Sequence, residues 1–424
     1  MAASARGVHM RKLVAITGLG VISPVGLDVP SVAASLREAR SGVRLVHAPP
    51  IERGFPAGAI DASFEDRFTK LELPFLDRCQ QMAVLAAGQA IREAGFESFA
   101  PFGPRAGVYY GNVNGGSATG QAWVEQLMQQ GKQVSRPFTA MAIMGNAGAA
   151  QVAIRHQVLG PVISNATACG SSGVAIGEAA RAIADGYLDV AVAGGAEAPL
   201  AAMIMGVFQG TRAMSAPDPG DVSRTCKPFA RNRSGLVMGE GSAFVVLEDA
   251  ERAHARGAHC HAYLTGYGVS NDAHHIGMPA TEGQVRALRA ALADAGLDAG
   301  EVGYVNAHAT ATEGGDVIEA AALREVFGAG PGDAWMSSTK SVHGHLLGAT
   351  SALELLITIV AMNESLLPAS ANLEDPDPRC ELHHVGVRPR SGHEFAHAVS
   401  FSCGFGGTNV ALAVSRNPAS PSHP

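Results

Sequence analysis

One cysteine stands where a nucleophile would be placed, among small residues that precede a helix pattern. Cys169 lies in the stretch NATACGSSG, between a short apolar strand pattern and the Ala-rich stretch VAIGEAARAIADG. The N-terminus of a helix carries a partial positive charge, which favours a thiolate and lowers the pKa of a thiol placed there. We therefore predict that Cys169 is a nucleophile, with an inert buried thiol as the alternative.

Basic side chains follow two predicted strands farther along the chain. His308 ends the strand in VNAHATAT, and Lys340, His343 and His345 follow the next strand in SSTKSVHGHLLGA. Imidazoles exchange protons near neutral pH and donate hydrogen bonds when neutral, so histidines at strand ends are candidates for catalysis. We expect His308 and His345 to face the site, and His343, on the turn before Gly344, to face solvent.

A glycine-rich loop, FSCGFGGTN at residues 401–409, follows a predicted strand near the C-terminus. Its backbone N–H groups are suited to hold an oxyanion, although a tight hairpin turn explains the glycines equally well. A thiol, two imidazoles, an ammonium and such a loop together indicate acyl transfer from a thioester. The stretch TGLGVISPVG lacks the third glycine of a dinucleotide-binding loop, so that motif is rejected.

The composition describes a large, well-packed α/β protein. Of 424 residues, 47% are hydrophobic and 16% charged, and the formal net charge of −7 offers no basic surface to nucleic acid. No apolar run reaches the roughly 18 to 20 residues of a membrane helix. The six cysteines form no CxxC pair, so we expect no disulfide framework, no metal and a cytoplasmic location. The first ten residues, MAASARGVHM, lack the apolar core of a signal peptide and are interpreted as an extension.

The chain repeats its own pattern. LVAITGLGVIS at 13–23 and AYLTGYGVSND at 262–272 share TG-x-G-V, and each precedes an Ala-rich helix pattern that ends in a glycine, Gly95 and Gly296. A strand, a small-residue turn and a long amphipathic helix then recur in both parts. This alternation predicts a duplicated α/β architecture with halves at 11–260 and 261–415, packed back to back, and a disordered tail, NPASPSHP. Loops after equivalent strands of the two halves should meet and form the ligand site.

These motifs, in their order, resemble those of the β-ketoacyl-acyl carrier protein synthases, specifically the elongating, synthase II-like type. The resemblance spans about residues 11 to 414 and rests on TGLGVISPVG, TACGSSG, VAGGAE, KPFARNRSGLVMGEG, VNAHATAT, DVIEA, SSTKSVHGHLLGA and GFGGTN. It implies the thiolase fold, a duplicated five-layer α-β-α-β-α architecture. It also implies a homodimer, in which MAIMGNAGAAQVAI at 141–154 would be buried interface.

The resemblance assigns roles to the four residues already singled out. Cys169 would take the acyl group from a carrier-protein thioester, and His308 and His345 would support decarboxylation of the incoming malonyl thioester. Lys340 would orient and polarise the site, and the N–H groups of Cys169 and Cys403 would form the oxyanion hole. Initiating synthases carry Cys-His-Asn, so His345 indicates elongation. No cofactor is implied, because the phosphopantetheine arrives on the carrier protein.

Further positions follow from the same resemblance. They are Thr310 and Thr312 as contacts of the phosphopantetheine arm, Phe208 as an acyl-pocket residue, Asp316, Glu319 and Glu354 as partners of Lys340 and the loops, and Arg212, Arg67 and Lys70 as a basic docking patch for the acidic carrier protein.

Four positions depart from the family pattern. Cys403 stands where a gating Phe is usual, Ala309 replaces a Gly, Gly277 stands where a Thr that contacts pantetheine is common, and Asn114 falls where the pocket wall is usually aliphatic. A buried, unpaired Asn costs free energy, so we expect the pocket to take a short, polar or unusual acyl chain.

Two other functions stay open on the sequence. A thiolase would share the fold and condense CoA thioesters without decarboxylation, using a second cysteine such as Cys403 as base, although Lys340 and KPFARNRSGLVMGEG speak against it. A non-catalytic chain-length partner of a polyketide synthase would lack Cys169. The sequence does not decide between fatty acid elongation and a secondary polyketide pathway.

Overall fold

Ten strands form one continuous mixed sheet, built from two copies of a five-strand pattern. The computed structural model describes residues 11–417. The first copy consists of β1 (Val14–Ile22), β2 (Ala106–Gly111), β3 (Val162–Asn165), β4 (Val190–Glu197) and β5 (Gly241–Asp249); the second of β6 (Ala262–Asn271), β7 (Val302–Asn306), β8 (Trp335–Ser337), β9 (His397–Cys403) and β10 (Thr408–Ser415). The order across the sheet is β8-β7-β9-β10-β6-β1-β5-β4-β2-β3.

The two copies have the same pairing scheme. In the first, β1 pairs antiparallel with β5 and β5 with β4, while β4–β2 and β2–β3 are parallel. In the second, β6–β10 and β10–β9 are antiparallel, while β9–β7 and β7–β8 are parallel. Within the described sheet, the copies pair with each other through residues 14–16 of β1 and 262–264 of β6. The predicted α/β duplication is therefore confirmed, and the division of the chain at residues 260 and 261 stays a prediction.

Twelve helices cover and separate the two parts of the sheet. They are α1 (Val29–Glu38), α2 (Arg78–Glu93), α3 (Ser117–Gln130), α4 (Thr139–Ile143), α5 (Ala147–His156), α6 (Ser171–Ala184), α7 (Ala202–Gly210), α8 (Ala250–Ala255), α9 (Thr281–Ala295), α10 (Glu313–Phe327), α11 (Lys340–His343) and α12 (Thr350–Asn363) within residues 11–417. Helices α6 and α12 lie in a central core with side chains from both copies of the sheet. Helices α2 and α5 pack on the other face of the first copy, and α9 and α10 on that of the second. The layers are thus α-β-α-β-α, as predicted.

The repeated TG-x-G motif allows each first strand to approach a helix closely. A Cβ on Gly18 or Gly20 would lie 2.1 or 1.9 Å from a carbonyl oxygen of α2, and a Cβ on Gly266 or Gly268 would lie 2.1 or 2.0 Å from one of α9. Such distances exclude any side chain at these four positions. The repeat found in the sequence is therefore a packing requirement that occurs once in each copy.

The two central helices begin with matching turns. A 3-10 turn, Ala168–Gly170, leads into α6, and a second, Leu347–Ala349, leads into α12. Ala168 and Leu347, the first residue of each turn, have φ angles of 51° and 46°, in the left-handed region that costs a residue with a Cβ of the order of 1 kcal/mol. The N-termini of both helices meet, because the Ser351 hydroxyl donates to the Cys169 carbonyl over 3.0 Å.

Smaller elements complete the described part of the chain. Strands Val43–Ala48, Ile51–Gly58 and Met238–Gly239 form a three-stranded sheet, and Leu366–Leu367 pairs with Arg390–Ser391. None of the helices within residues 11–417 is long and apolar enough to cross a bilayer. The expected extension at residues 1–10 and residues 418–424 of the expected tail lie outside the described residues.

Candidate active site

The nucleophile predicted from the sequence lies at the base of a cavity. Cys169 is the central residue of the turn Ala168–Gly170, so its side chain is held at the N-terminus of α6. The strand before it, β3, ends at Asn165, and the Ser171 hydroxyl ties the turn by donating to the Ala168 carbonyl over 2.6 Å. The left-handed backbone at Ala168 directs Cys169 toward the residues contributed by the second copy.

The expectation of a lowered thiol pKa is wrong. Burial raises the pKa of Cys169 to about 11, although the positive charge of Lys340 and two backbone N–H groups act to lower it. The N-terminus of α6 does not compensate for the loss of water around the sulfur. The resting thiol is therefore protonated near neutral pH, and a base must take its proton before it can attack.

His345 is placed to be that base. Its Nε2 lies 3.0 Å from the Cys169 Sγ, and its Nδ1 lies 2.9 Å from the hydroxyl oxygen of Thr350, the first residue of α12. Burial lowers the pKa of His345 well below its usual value, and the positive charge of Lys340 lowers it further. The ring is therefore neutral, with Nε2 free to accept the thiol proton while Nδ1–H donates to Thr350.

His308 faces His345 from the loop after β7. The two ring centroids are 5.4 Å apart and the rings nearly perpendicular, at 84°. Burial, followed by the charge of Lys340, lowers the pKa of His308 well below its usual value. Glu319 in α10 fixes the loop by accepting the N–H groups of His308 and Ala309 over 2.6 and 2.7 Å. Two neutral imidazoles thus border the sulfur.

A buried ion pair lies behind the two imidazoles. The Lys340 Nζ is 2.5 Å from the Glu354 Oε1, and both side chains are fully buried. Burial raises the pKa of Glu354 to about 7, although Lys340 acts to lower it. Because Lys340 lowers the pKa of both imidazoles and is not among the cavity-lining residues, it acts on the site through its charge.

His343 does not face solvent, contrary to the expectation from its place on a turn. Its side chain is fully buried, with one ring nitrogen 3.0 Å from the Thr339 hydroxyl and the other 2.7 Å from the Gly344 carbonyl. Burial lowers its pKa to about 3, so the ring is a neutral, structural one. A turn residue becomes buried here because the turn itself lies in the central layer, which the sequence pattern did not reveal.

The glycine-rich loop brings a backbone N–H other than that of Cys403 to the nucleophile, and the oxyanion role expected for the N–H groups of Cys169 and Cys403 stays a prediction. The backbone N–H groups that act on the Cys169 sulfur are its own and that of Phe405, rather than that of Cys403. A Cβ on Gly404 would lie 3.2 Å from the Cys169 nitrogen, which shows how closely the glycine-rich loop approaches the nucleophile. Phe405 is also 47% exposed and lines the cavity, so the loop retains a bulky aromatic side chain despite Cys403.

A cavity of about 470 Å³ opens above the sulfur. Predicted residues that line it are Cys169, Phe208, Gly277, His308, Thr310, Thr312, Asp316, Glu319, His345 and Cys403. The hydroxyl oxygens of Thr310 and Thr312 lie 3.2 Å apart. Apart from Gly277, sequence analysis missed the segment His275–Pro279 on the wall, in which Ile276 and Met278 are largely exposed.

Asn114 is not among the residues that line this cavity, contrary to expectation. Its neighbour Val113 lines the wall, and the Asn114 side-chain amide donates to the buried carboxyl of Glu197 over 3.3 Å. The argument for a polar acyl chain required an unpaired Asn, and that argument no longer applies. Sequence analysis also missed Glu197, which ends β4 in the motif VAGGAE; a carboxyl group at the end of a buried strand was the available signal.

The remaining predicted residues lie farther from the sulfur. Asp316 accepts the Phe229 N–H over 2.8 Å, and burial raises its pKa to about 6. Arg212 is exposed and directly precedes Ala213 in the cavity wall. Arg67 and Lys70 are exposed but do not line the cavity.

The three central side chains are also the only group within residues 11–417 with the spacing of a metal site. The possible ligand atoms of Cys169, His308 and His345 lie within 4.8 Å of one another, and thiolate and imidazole are ligands that zinc prefers. The thiol is protonated here, and the positive charge of Lys340 acts on all three groups, which opposes a cation. The expectation that the site works without a metal stays a prediction.

Comparisons with known proteins agree with this geometry. The family model described as "Beta-ketoacyl synthase, N-terminal domain" matches residues 11–253, and "Beta-ketoacyl synthase, C-terminal domain" matches residues 261–374. The chain is 35% identical over 410 residues to a protein named 3-oxoacyl-[acyl-carrier-protein] synthase 2 from Staphylococcus aureus, covering 96% of this chain and 98% of that protein. It is 38% identical over 410 residues to nodulation protein E of Rhizobium meliloti, covering 95% and 99%.

Solved structures show the same architecture. The ishigamide ketosynthase/chain length factor superposes with a TM-score of 0.89 at 31% identity, covering 96% of this chain and all of that chain. A beta-ketoacyl synthase from Burkholderia phymatum gives a TM-score of 0.88 at 32% identity, with the same coverage. The thiolase fold expected from the motifs is therefore confirmed.

Proposed function

The chain belongs to the β-ketoacyl synthase family and is an acyltransferase, and from this premise we propose how its residues condense an acyl thioester with a malonyl-carrier thioester. The observation that carries the proposal is the 3.0 Å contact between the Cys169 sulfur and the His345 Nε2, beside a second neutral imidazole. The resemblance inferred from the sequence motifs is confirmed by the family models.

Acyl transfer to the enzyme is the first step. His345 takes the Cys169 proton at Nε2 as the sulfur attacks the thioester carbonyl, and the N–H groups of Cys169 and Phe405 hold the oxyanion. When the intermediate collapses, the bond between the carbonyl carbon and the pantetheine sulfur breaks. The proton on His345 passes to the leaving thiolate, so the ring is neutral again.

Decarboxylation is the second step. The malonyl thioester enters with its pantetheine arm along Thr310 and Thr312, and the neutral rings of His308 and His345 donate hydrogen bonds to its carbonyl oxygen. The carbon–carbon bond to the carboxylate breaks, carbon dioxide leaves, and the electron pair is held as an enolate. The Thr350 hydroxyl accepts from Nδ1–H in the first step. Between the steps Nε2 gains a proton from solvent and Nδ1 loses one to solvent, and the Thr350 hydroxyl then donates to Nδ1.

Condensation is the last step. The enolate carbon attacks the acyl-Cys169 carbonyl, whose oxyanion returns to the two backbone N–H groups, and the new carbon–carbon bond forms as the carbon–sulfur bond breaks. The departing Cys169 thiolate takes one proton from solvent, which restores the resting thiol. The product is a β-ketoacyl-carrier thioester. This route needs no resident cofactor, because the phosphopantetheine arrives with the substrate. The six cysteines are free, which fits a reducing cytoplasm.

The acyl chain is placed along an apolar wall. Val113, Phe208, Leu236 and Leu347 line the cavity on the side of the nucleophile turn. Such a wall favours a hydrocarbon chain, as in the elongation of fatty acids or of reduced polyketides.

Carrier protein and a second chain are the partners in this proposal. Exposed Arg212, beside the cavity wall, contacts the acidic carrier, so Arg212→Glu should slow turnover of carrier thioesters and not of free pantetheine thioesters.

The edge strand β3 exposes Val162 and Ile163 by 42% and 45%, and Ile154 of α5 is 73% exposed. A second copy would cover this apolar edge as a homodimer, and Ile163→Asp should then give monomers in light scattering.

The test is acylation followed by condensation, both read by intact mass. Acyl-carrier thioesters should add one acyl group, mapped by peptide analysis to Cys169, and malonyl-carrier should then release it as a β-ketoacyl thioester with carbon dioxide. Cys169→Ser should lose the condensation. Acylation at another residue would contradict the proposal, and condensation of two acetyl-CoA molecules without a malonyl donor would support a thiolase instead.

A further inference from the structure

Glu197 is a fully buried carboxyl group held almost entirely by backbone and amide N–H donors. Its Oε1 accepts from the backbone N–H groups of Val113 and Asn114 over 3.2 and 3.0 Å, and from the Asn112 amide over 2.9 Å. Its Oε2 accepts from the Asn114 amide over 3.3 Å and from the Gly348 N–H over 3.4 Å. Within residues 11–417 Glu197 forms no ion pair, so its five hydrogen bonds replace a counter-ion.

The donors come from both copies of the fold and from both sides of the cavity wall. The segment Asn112–Asn114 follows β2, and Val113 lines the cavity. Gly348 belongs to the turn before α12, between the cavity residue Leu347 and the helix that carries Thr350. Val113 and Gly348 are themselves in contact, since a Cβ on Gly348 would lie 3.1 Å from the Val113 Cγ2.

No step of the proposed reaction uses Glu197. The titratable groups whose pKa values its charge affects are Cys79, Tyr110 and Cys169, and burial raises the pKa of each, so all three are neutral near pH 7. Burial also raises the pKa of Glu197 to about 7. Protonation would turn one carboxylate oxygen of Glu197 from a hydrogen-bond acceptor into a donor. All five partners given above are donors, so none of them could accept this hydrogen bond.

We propose that Glu197 is a positioning residue that fixes the acyl-facing wall at Val113 against the turn at Leu347 and Gly348, and so determines which acyl chain lengths reach Cys169 productively. The inference rests on the proposed function only in taking the cavity to receive an acyl chain. Asn114, turned toward Glu197, supplies two of the five donors.

The experiment measures the wall directly and needs no condensation. Cys169 is alkylated with N-alkyl iodoacetamides from butyl to hexadecyl, and the rates are read by intact mass for the wild type, Glu197→Gln and Asn114→Ala. The matched control is Glu248→Gln: Glu248 is equally buried and paired with Arg256, but lies at the opposite end of the same β4–β5 strand pair.

Glu197→Gln should raise the ratio of long-chain to short-chain rates by roughly tenfold, the effect of about one lost hydrogen bond. Asn114→Ala should move it in the same direction by less. Glu248→Gln should leave the ratio within roughly twofold of the wild type, whatever its melting temperature. The wild-type ratio should also rise as the pH falls below about 7, and Glu197→Gln should remove that dependence.

An unchanged ratio in both Glu197→Gln and Asn114→Ala would overturn the inference. An equal change in Glu248→Gln would also overturn it, because general loosening would then explain the result. If Glu197→Gln does not fold, Asn114→Ala decides alone, since it leaves the buried carboxyl and its backbone donors in place. A wild type that is alkylated with a clear length preference, yet does not condense carrier thioesters, would contradict the proposed function and leave this inference standing.

Discussion

The ammonium of Lys340 is fixed 2.5 Å from Glu354 in a site without water-exposed surface, and its charge reaches Cys169, His308 and His345. At the residue scale this charge has two separate effects. It adds to burial in keeping both imidazoles neutral, as hydrogen-bond donation to an enolate requires. It also partly offsets the cost of forming a buried thiolate. Neither effect requires Lys340 to touch the substrate.

The first prediction separates the charge of Lys340 from its contribution to stability. Lys340→Met alone should lower the free energy of unfolding by about 3 to 5 kcal/mol, because it leaves Glu354 buried without a partner. The double variant Lys340→Met, Glu354→Leu should recover most of that loss. Without the cation the pKa values of His308 and His345 rise, so both rings are protonated at a higher pH. The pH below which malonyl decarboxylation is lost should therefore be higher in the double variant than in the wild type.

Urea unfolding and a pH–rate profile check this prediction. A double variant as stable as the wild type, with its acid limb at the wild-type pH, would show that Lys340 acts only on folding. In the double variant Lys340 no longer lowers the pKa of Cys169. The Cys169 thiol should therefore react more slowly with iodoacetamide than in the wild type at the same pH.

At the scale of elements, the site depends on the close approach of the glycine-rich loop to the nucleophile turn, Ala168–Gly170. The glycine-rich loop after β9 touches the nucleophile turn at Gly404, where a Cβ would lie 3.0 Å from the Ala168 Cβ and 3.1 Å from the Thr167 carbonyl oxygen. A methyl group there must displace either the loop or the turn. Displacement of the loop would move the Phe405 N–H away from the sulfur.

The second prediction compares two glycines of the same cavity. Gly404→Ala should lower the rate of Cys169 acylation by roughly 10²-fold, the typical effect of losing one oxyanion donor, with little change in melting temperature. Gly314→Ala is the control, because a Cβ on Gly314 meets nothing within 4 Å. It should keep wild-type acylation and stabilise α10 by up to about 1 kcal/mol. Burst-phase acylation and thermal unfolding check both, and equal rates for the two variants would show that the close contact has no catalytic consequence.

The sequence predicted those site residues whose positions follow from the order of the strands. Cys169 and His345 follow β3 and β8, which occupy equivalent places in the duplicated sheet, and His308 follows β7, the parallel neighbour of β8. All three therefore stand in loops at the carboxyl ends of parallel strands, where a ligand site is expected. Sequence analysis misplaced His343 and missed Phe405 and Glu197. The roles of these three residues depend on burial and on the direction of the backbone, which a local sequence pattern does not show. A turn in the central layer buries His343, and the close approach of the glycine-rich loop to the nucleophile turn brings the Phe405 N–H to the sulfur. Glu197 acquires its donors from residues far away in the sequence. The prediction of a lowered pKa for the Cys169 thiol was wrong for the same reason, because a local sequence pattern does not show how deeply a residue is buried.

At the scale of the whole molecule, several buried carboxyl groups hold protons that the unfolded chain would release. Burial raises the pKa of Glu319 to about 8 and those of Glu197 and Glu354 to about 7. Between the unfolded pKa values of about 4 and these folded values, the native state binds more protons than the unfolded state. The contribution of these three groups to the free energy of unfolding therefore falls as the pH rises through this window.

The third prediction follows from that sign. Buried His308 and His345 are neutral in the folded state and protonate in the unfolded state below about pH 6.5, which lowers stability on the acid side. Above about pH 7.5 the histidines of the unfolded chain are largely neutral as well, so the raised carboxyl pKa values dominate. The free energy of unfolding should therefore decrease from there through the folded pKa of Glu319, about 8. Glu319→Gln should make that decrease smaller and Glu319→Asp should retain it. Urea unfolding across the range checks the slopes, and a flat wild-type profile would contradict the raised pKa values.

The matching turns before α6 and α12 have a further consequence. One turn carries the sulfur that receives the acyl group, and the other, at the same place in the second copy, follows the ring that removes its proton. Descent from a doubled ancestor would thus have left each copy with half of an originally symmetric pair of sites, and neither half is chemically complete. Two separately produced polypeptides, divided between α8 and β6, should be inert alone and regain turnover only on reassembly.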